Sequence, residues 1–318
     1  MQLQSALDLR LALAHKYSLD RGGVRGGPRM FALGVAPSSR PSQYRLAVRA
    51  EVDADLPPET RAEIENEAGY ETDIQIIGPI EAHVGRPASV SRQLAIGASI
   101  GHYLCGAGTL GFFARRNADL SLGFVSNNHV IAAEDQGLDL DPVLLPGPAD
   151  RGVRPRDVIA RLVGDYPRLK DPEPLVDCAF ARLVNGRTFD PGALVSNQRV
   201  SATILEPYSD PYLEPEVSKI GRSTGLTHGR VSAFALDPFI GFSFGRVRFA
   251  EQIEIQPTRG TPFSCSGDSG SLVFTTEGCH PVGLLFAGSI LGGPTTFGVS
   301  FANPIQAVLN ALDVTILT

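Results

Sequence analysis

Cysteine is scarce in this chain of 318 residues: Cys105, Cys178, Cys265 and Cys279 are irregularly spaced and form no CxxC pair. Such a set makes neither a zinc site nor a disulfide framework. It reads as small buried thiols in a reducing compartment. The six histidines are equally scattered, with no HExxH or His-x-His cluster, so no metal and no cofactor is expected. Long apolar runs are missing as well, since no window reaches the roughly 18 consecutive apolar residues of a membrane span. The opening segment, MQLQSALDLRLALAHKYSLD, interrupts its leucines with Asp8, Arg10 and His15 and lacks the unbroken core of a signal peptide. The expected location is therefore cytoplasmic, with no membrane anchor. Neither sign of charge forms a long run, and 34 acidic against 28 basic residues leave a formal charge of -6. No nucleic-acid partner is expected from that balance.

What the chain does have is apolar content, 43% of its residues, enough at this length for two or three compact units. Leu3, Leu7 and Leu11 fall at helical spacing with Ala6 and Leu13 beside them, and a Gly/Arg-rich stretch, RGGVRGGPR, follows. Residues 1–27 are expected to be a helical arm on a flexible joint. RMFALGVAP, YRLAVRAEVD and ETDIQIIGPI read as strands, and the segment from Asp55 through Pro57 and Pro58 to Ala68 reads as a helix closed by Gly69. Residues 28–89 should therefore form a small α+β accessory domain. Beyond them the texture changes to short β-branched and apolar runs punctuated by Gly, Pro, Asn and Asp, the pattern of an all-β barrel or sandwich. The proline-rich EPYSDPYLEPE (206–216) looks like a connector that divides this region into 90–205 and 206–318. Near the end, Asn303 is expected to cap a short helix with Pro304 in its first turn and Ile305, Val308, Leu309 and Leu312 on its buried face.

The strongest chemical signal is CSGDSGSLVF, where Ser269 lies in a turn of small residues before an apolar strand. Gly267 and Gly270 let the backbone bend so that the amides of Gly267 and Ser269 can converge as an oxyanion hole. Taken alone, such a string is as readily an ordinary Gly/Ser turn. A serine hydroxyl is too weak an acid to attack an amide unaided and needs a histidine base oriented by a carboxylate. His129 ends SLGFVSNNHVIAA, an apolar strand breaking into a small-residue turn that would place the imidazole at a barrel rim. Asp177, in PLVDCAFARLV, is an acid at the edge of an apolar strand, with Asp171 as the competing candidate. EDQGLDLD (134–141) has oxygen ligands but no cation-loop spacing and reads as a solvated acidic loop. GRSTGLTHGR reads as a β-hairpin, and His102 and His228 as structural or surface residues.

In order along the chain, His129, Asp177 and Ser269 are separated by 48 and 92 residues. With CGAGTLGFF, FVSNNHVIA, VLLPGPADRG, VDCAFARL, VSKIGRSTGLTHGRV, SCSGDSGSLVF, VGLLFAGS and ANPIQAVLNAL around them, the chain resembles the chymotrypsin/trypsin-like serine protease superfamily. The resemblance is closer to its intracellular bacterial and plant branch, which includes the plant narrow-leaf protease. It implies an all-β double six-stranded barrel behind the small α+β domain, with the active site in the cleft between barrels. It also implies that His129 is the general base, Asp177 its orienting carboxylate and Ser269 the nucleophile, with Gly267 and Ser269 supplying the oxyanion amides. Phe286, Ala287 and Gly288 would be an edge strand that pairs with an extended protein or peptide substrate.

The departures from that pattern carry information. Val130 stands where secreted trypsins have a half-cystine and no cysteine follows Gly288, so Cys105 and Cys265, which match the remaining halves, should be free thiols. No activation motif releases an N-terminus to pair with Asp268, which must find an internal donor or act structurally. The arm and accessory domain are then expected to serve recognition, restraint or self-association of a cytoplasmic endopeptidase. A catalytically silent scaffold and an esterase of small molecules are the alternatives. Phe263 and Ser264 fall at the base of the implied specificity pocket, with no acid to select Arg or Lys, and Leu285 replaces the histidine of glutamate-specific relatives. A small or medium apolar residue before the cut is expected; a peptide-library profile dominated by Arg, Lys or Glu would overturn this.

Overall fold

The structure is a computed structural model that describes residues 1–17, 30–82, 92–172, 174–206, 216–289 and 291–318. The Gly/Arg-rich joint at 21–29 and most of the proline-rich connector, 207–215, lie outside the described residues. Helix α1 (Leu3–Lys16) buries Ala6, Arg10, Leu13 and Ala14. Leu11, expected on the buried stripe, is 58% exposed. Arg10 is buried instead because its guanidinium meets Asp237 (2.5 Å) and Glu251 (2.6 Å).

Strands β1 (Phe31–Pro37) and β2 (Tyr44–Ala50) pair antiparallel from Phe31↔Ala50 to Pro37↔Tyr44. Helix α2 (Pro58–Glu67) starts on a proline whose missing N–H costs nothing in the first turn, and Gly69 beyond its end takes a positive φ of 57°. β3 (Thr72–Ile76) then returns parallel to β2, completing the β-β-α-β order read from the sequence. This unit is not detached: β1 pairs with a strand of the second barrel at Val35↔Phe234. β4 (Glu81–Ala82) follows as a short strand.

The first barrel comprises β5 (Ser99–His102), β6 (Gly108–Thr109), β7 (Phe112–Arg116), β8 (Leu122–Ser126), β9 (Pro142–Leu144), β10 (Val158–Leu162) and β11 (Ala179–Leu183), with the short helix α3 (Asn128–Ile131) after β8. β6 and β7 act as one strand bent at Leu110 and Gly111. Bonds from Leu110 N to Ala98 O (2.9 Å) and from Gly111 N to Val125 O (3.0 Å) carry the pairing across the bend. The ring therefore closes in the order β5, β6/β7, β8, β11, β10, β9. The second barrel comprises β12 (Glu216–Gly221), β13 (Gly225–Leu236), β16 (Gln252–Pro257), β17 (Leu272–Thr275), β18 (Pro281–Gly288) and β19 (Ser300–Pro304); the hairpin β14 (Phe239–Phe242) and β15 (Gly245–Arg248) stands out from it. It closes in the order β12, β13, β16, β19, β18, β17.

Helix α4 (Ile305–Leu312) buries Ile305, Val308, Leu309 and Leu312, as its period predicts. These side chains join the apolar cluster of the first barrel, and β20 (Val314–Ile316) adds to β7. Asn303 is not the helix cap expected of it: Pro304 takes that position, and the Asn303 side chain is committed elsewhere, as described below. Among the described residues no helix is long and apolar enough to cross a membrane.

Charges buried at the seam hold the N-terminal unit to the second barrel. Arg49 on β2 is fully buried and meets Glu254 on β16 (2.7 Å) and Asp73 on β3 (2.6 Å). Removing one partner of such a pair strands the other charge away from water. Arg49→Met should therefore lower stability by about 3–5 kcal/mol, read from urea denaturation midpoints, with Arg49→Met/Glu254→Leu recovering much of the loss. A single variant within about 0.5 kcal/mol of the parent would refute a role for this pair in the seam.

Candidate active site

β8 carries the chain into the core and α3 turns it back, leaving His129 at the end of the first barrel. Asp177 precedes β11, the neighbour of β8, so strand pairing brings the two residues together. His129 Nδ1 and Asp177 Oδ2 are 2.5 Å apart, and the backbone N–H of His129 donates to Oδ1 (3.2 Å). The carboxylate places the imidazole proton on Nδ1 and leaves Nε2 as the acceptor. That Nε2 is buried and meets no hydrogen-bond partner among the described residues. Asp177 is held from both sides: Asn127 Nδ2 donates to its carbonyl (2.7 Å), and its N–H donates to Asn303 Oδ1 (3.0 Å). Asp171, the alternative acid, lies exposed in a turn.

Ser269 sits in the turn before β17, where Gly267 (φ 97°) and Gly270 (φ 95°) adopt backbone that side chains disfavour. A Cβ on Gly270 would come within 2.2 Å of Thr109 O, so only glycine lets the two barrels approach here. Ser266 O accepts from Ser223 Oγ (2.7 Å), and Asp268 O accepts from Ser271 Oγ (2.5 Å). In a planar trans peptide the next N–H points opposite its carbonyl, so the N–H groups of Gly267 and Ser269 face away from these donors. Thr109 ties the turn to the first barrel, its N–H donating to Ser269 O (2.8 Å) and its hydroxyl to Gly267 O (2.9 Å). The Ser269 hydroxyl donates to Phe286 O (3.1 Å) rather than to His129. Gly108 lies against both Val130, the neighbour of His129, and the Ser269 carbonyl.

Asp268, left without an evident partner by the sequence, is fully buried and fully engaged. Its carboxylate accepts from the N–H groups of Ser223 (2.8 Å), Thr224 (3.1 Å) and Cys265 (3.0 Å) and from the Thr224 hydroxyl (2.6 Å). Lys219 Nζ, also fully buried, lies 3.3 Å away and bonds Thr224 Oγ1 and Gly225 O as well. Burial lowers the Lys219 pKa from its ordinary value despite the opposing pull of Asp268. The β12–β13 hairpin read from GRSTGLTHGR is present, and its turn is the cradle of Asp268. Sequence reasoning missed Lys219, Thr224, Asn127 and Asn303. NNH beside the histidine was the one local signal; the others are long-range partners.

Phe263 packs inside the second barrel, and Ser264 Oγ lies 2.7 Å from Ser300 Oγ. Ala287 and Gly288 are not an open edge, because β4 pairs with them. A cavity of ≈ 220 Å³ is lined by His129 together with Cys105, Ala107, Glu134 and Ser243 among others. All four cysteines are free, and burial, with Glu134 nearby, pushes the Cys105 thiol up to about 11. Two acids of 134–141 tie the loop: Asp135 accepts from Asn128 and from the Leu169 and Lys170 amides, and Asp141 lies 3.0 Å from the buried His102, while Asp139 is exposed. His228 Nδ1 lies 2.9 Å from Ser218 Oγ.

A family model described as the Nal1 C-terminal domain matches residues 205–303, the stretch that holds Lys219, Ser269 and β18. This agrees with the resemblance read from the sequence. Among curated protein sequences none matches the chain. Solved structures similar to it include Protease A of Thermobifida fusca, 18% identical over 71% of this chain and 99% of that one, with a TM-score of 0.48. Chymotrypsin of Cellulomonas bogoriensis is 20% identical over 71% and 99%, with a TM-score of 0.47. A Nocardiopsis protease is 19% identical over 71% and 100%, also at 0.47. The double barrel itself rests on the strand pairing described above.

Lys219→Met would leave the Asp268 carboxylate in the core with neutral donors alone. Stability should fall by about 3 kcal/mol, with Lys219→Met/Asp268→Asn regaining part of it. Thermal or urea unfolding of the two variants checks this, and unchanged stability in Lys219→Met would show that the cation is dispensable.

Proposed function

We propose that the protein is a serine endopeptidase in which Ser269 is the nucleophile, His129 the general base and Asp177 the residue that orients it. The observation that carries this reading is the buried Asp177–His129 pair, which leaves Nε2, on the side away from the carboxylate, without a partner among the described residues. Rotation of the Ser269 hydroxyl from Phe286 O toward that nitrogen creates the reactive couple. The Ser269 proton then passes to Nε2 as Oγ bonds to the substrate carbonyl carbon. The negative charge that develops on the carbonyl oxygen is met by the Gly267 and Ser269 N–H groups. Collapse of the adduct expels the amine, which takes the proton from Nε2, and water releases the acyl group by the same route.

In this reading residues 90–205 and 206–318 carry catalysis, and residues 1–27 and 28–89 serve restraint, recognition or self-association. The attachment of the N-terminal unit through β1–β13 and Arg49 supports a standing role for it beside the site. Free thiols at Cys105 and Cys265 support action in a reducing cytoplasm. A second reading, a catalytically silent scaffold, is favoured by the Ser269 hydroxyl bonding Phe286 O and by the burial of His129.

A fluorophosphonate probe separates the two. Labelling of the wild-type protein that disappears in Ser269→Ala supports the enzyme, and failure to label refutes it. In the same preparation Asp177→Asn should retain the fold and lower peptide turnover by a factor on the order of 10⁴, because the imidazole loses its required tautomer.

A further inference from the structure

The groove expected to take a substrate backbone is already filled by the chain itself. β4 lies between two strands, antiparallel to β18 with Ala82 opposite Ala287 and Glu81 opposite Gly288, and parallel to β14 at Gly241↔Glu81. Gly241 N–H donates to Ile80 O (2.9 Å), so the segment is held through its backbone on that flank as well. Its direction matters most. From Glu81 to Ala82 it advances along β18 from Gly288 to Ala287, one position short of Phe286, whose carbonyl accepts the Ser269 hydroxyl. The segment thus runs toward the proposed nucleophile in extended backbone.

The side chains alternate as an extended strand requires. Ile80 is 3% exposed and belongs to an apolar cluster with Ile240, Phe249, Phe286 and Ala287. Glu81 faces solvent, and Ala82 packs on the same cluster, at which Phe242 and Phe244 also lie. Phe242 in turn stands edge-on to the His129 ring, 6.2 Å between centroids. A large aliphatic residue is buried in the apolar cluster, the next points to water, and a small one packs at the margin of that cluster. His129 also lines the cavity shared with Cys105, Glu134 and Ser243.

We infer that residues 80–82 are a built-in pseudosubstrate: they occupy the backbone groove on one side of the proposed nucleophile and define what displaces them. The substrates that do so are extended segments with a large aliphatic residue two positions before a small one. This inference rests on the protease reading of the site. A competing segment pays for displacement, since apparent affinity falls by the fraction of molecules whose groove is vacant. Recognition is by strand addition, so a proline that cannot donate to the ladder weakens the occupant without touching the pockets.

Glu81→Pro is the test, because the Glu81 side chain is exposed and its loss disturbs no packing. The probe is a fluorescein-labelled peptide Gly-Pro-Ile-Glu-Ala amide, with Gly-Pro-Asp-Glu-Leu amide as control, titrated against full-length Ser269→Ala with and without Glu81→Pro. The first peptide should bind the double variant on the order of tenfold more tightly or better, and the control should show no gain. With Ser269 restored, Glu81→Pro should raise turnover of a peptide containing Ile-Glu-Ala by a similar factor. Ile80→Ala, which trims the anchor, carries the same comparison if Glu81→Pro does not fold. Equal peptide affinity with and without the substitution overturns the inference even where the fluorophosphonate probe labels Ser269. A gain in binding without any labelling keeps the groove assignment and refutes the enzyme.

Discussion

The Asp268 carboxylate, buried in the second barrel, is the point on which the geometry of the site depends. It gathers three backbone N–H groups, a hydroxyl and the Lys219 ammonium at one place, drawn from the β12–β13 hairpin and from Cys265. An isolated carboxylate there would be strongly disfavoured, so the β12–β13 turn and the 265–271 loop are compelled to meet around it. That meeting positions Ser223 to hold Ser266 O and so directs the Gly267 N–H the other way. A Cβ at Gly221 would lie 2.3 Å from Asp268 Oδ1, which is why this strand end must be glycine. The orientation of the turn that carries Ser269 thus follows from satisfying one buried charge.

The same logic recurs at the other seams. Arg222 and Asp150, both fully buried in their side chains, pair at 2.5 Å across the two barrels, and Ser99 adds a hydroxyl to the same carboxylate. Arg49 and Glu254 do so between the N-terminal unit and the second barrel, and Arg10 with Asp237 between helix α1 and that barrel. Such pairs yield little net stability over apolar packing, yet separating one is costly. Their effect is to make each docking arrangement hard to exchange for another. Near the proposed catalytic residues the seam is backbone against backbone, with Gly108, Gly111 and Gly270 at the points of approach.

A site assembled this way is closed as it stands. Ser269 is fully buried, Nε2 of His129 has no partner among the described residues, and a segment of the N-terminal unit lies along the strand expected to receive substrate. Pairing of β4 with β18 also covers the edge of β18, a feature that otherwise invites association.

Much of the architecture was legible without coordinates because it is local. Apolar runs cut by Gly, Pro and Asn specify short strands, the period of Ile305, Val308, Leu309 and Leu312 specifies the buried face of α4, and the small residues around Ser269 specify a turn. The order of His129, Asp177 and Ser269 pointed to one kind of chemistry and placed the acid at 177, where the structure puts it beside His129. What the sequence could not determine was partnership across long separations. Asn303 carries the sequence pattern of a helix cap, yet its side chain goes to the Asp177 backbone 126 residues away, because a buried amide there outbids a helix end. Arg10 displaced Leu11 from the buried face of α1 for the same reason, its acids, Asp237 and Glu251, lying in loops far along the chain. Periodicity and turn chemistry act between neighbours and are written in the sequence. The choice of which charge or amide satisfies which buried partner is made only when distant segments close on one another.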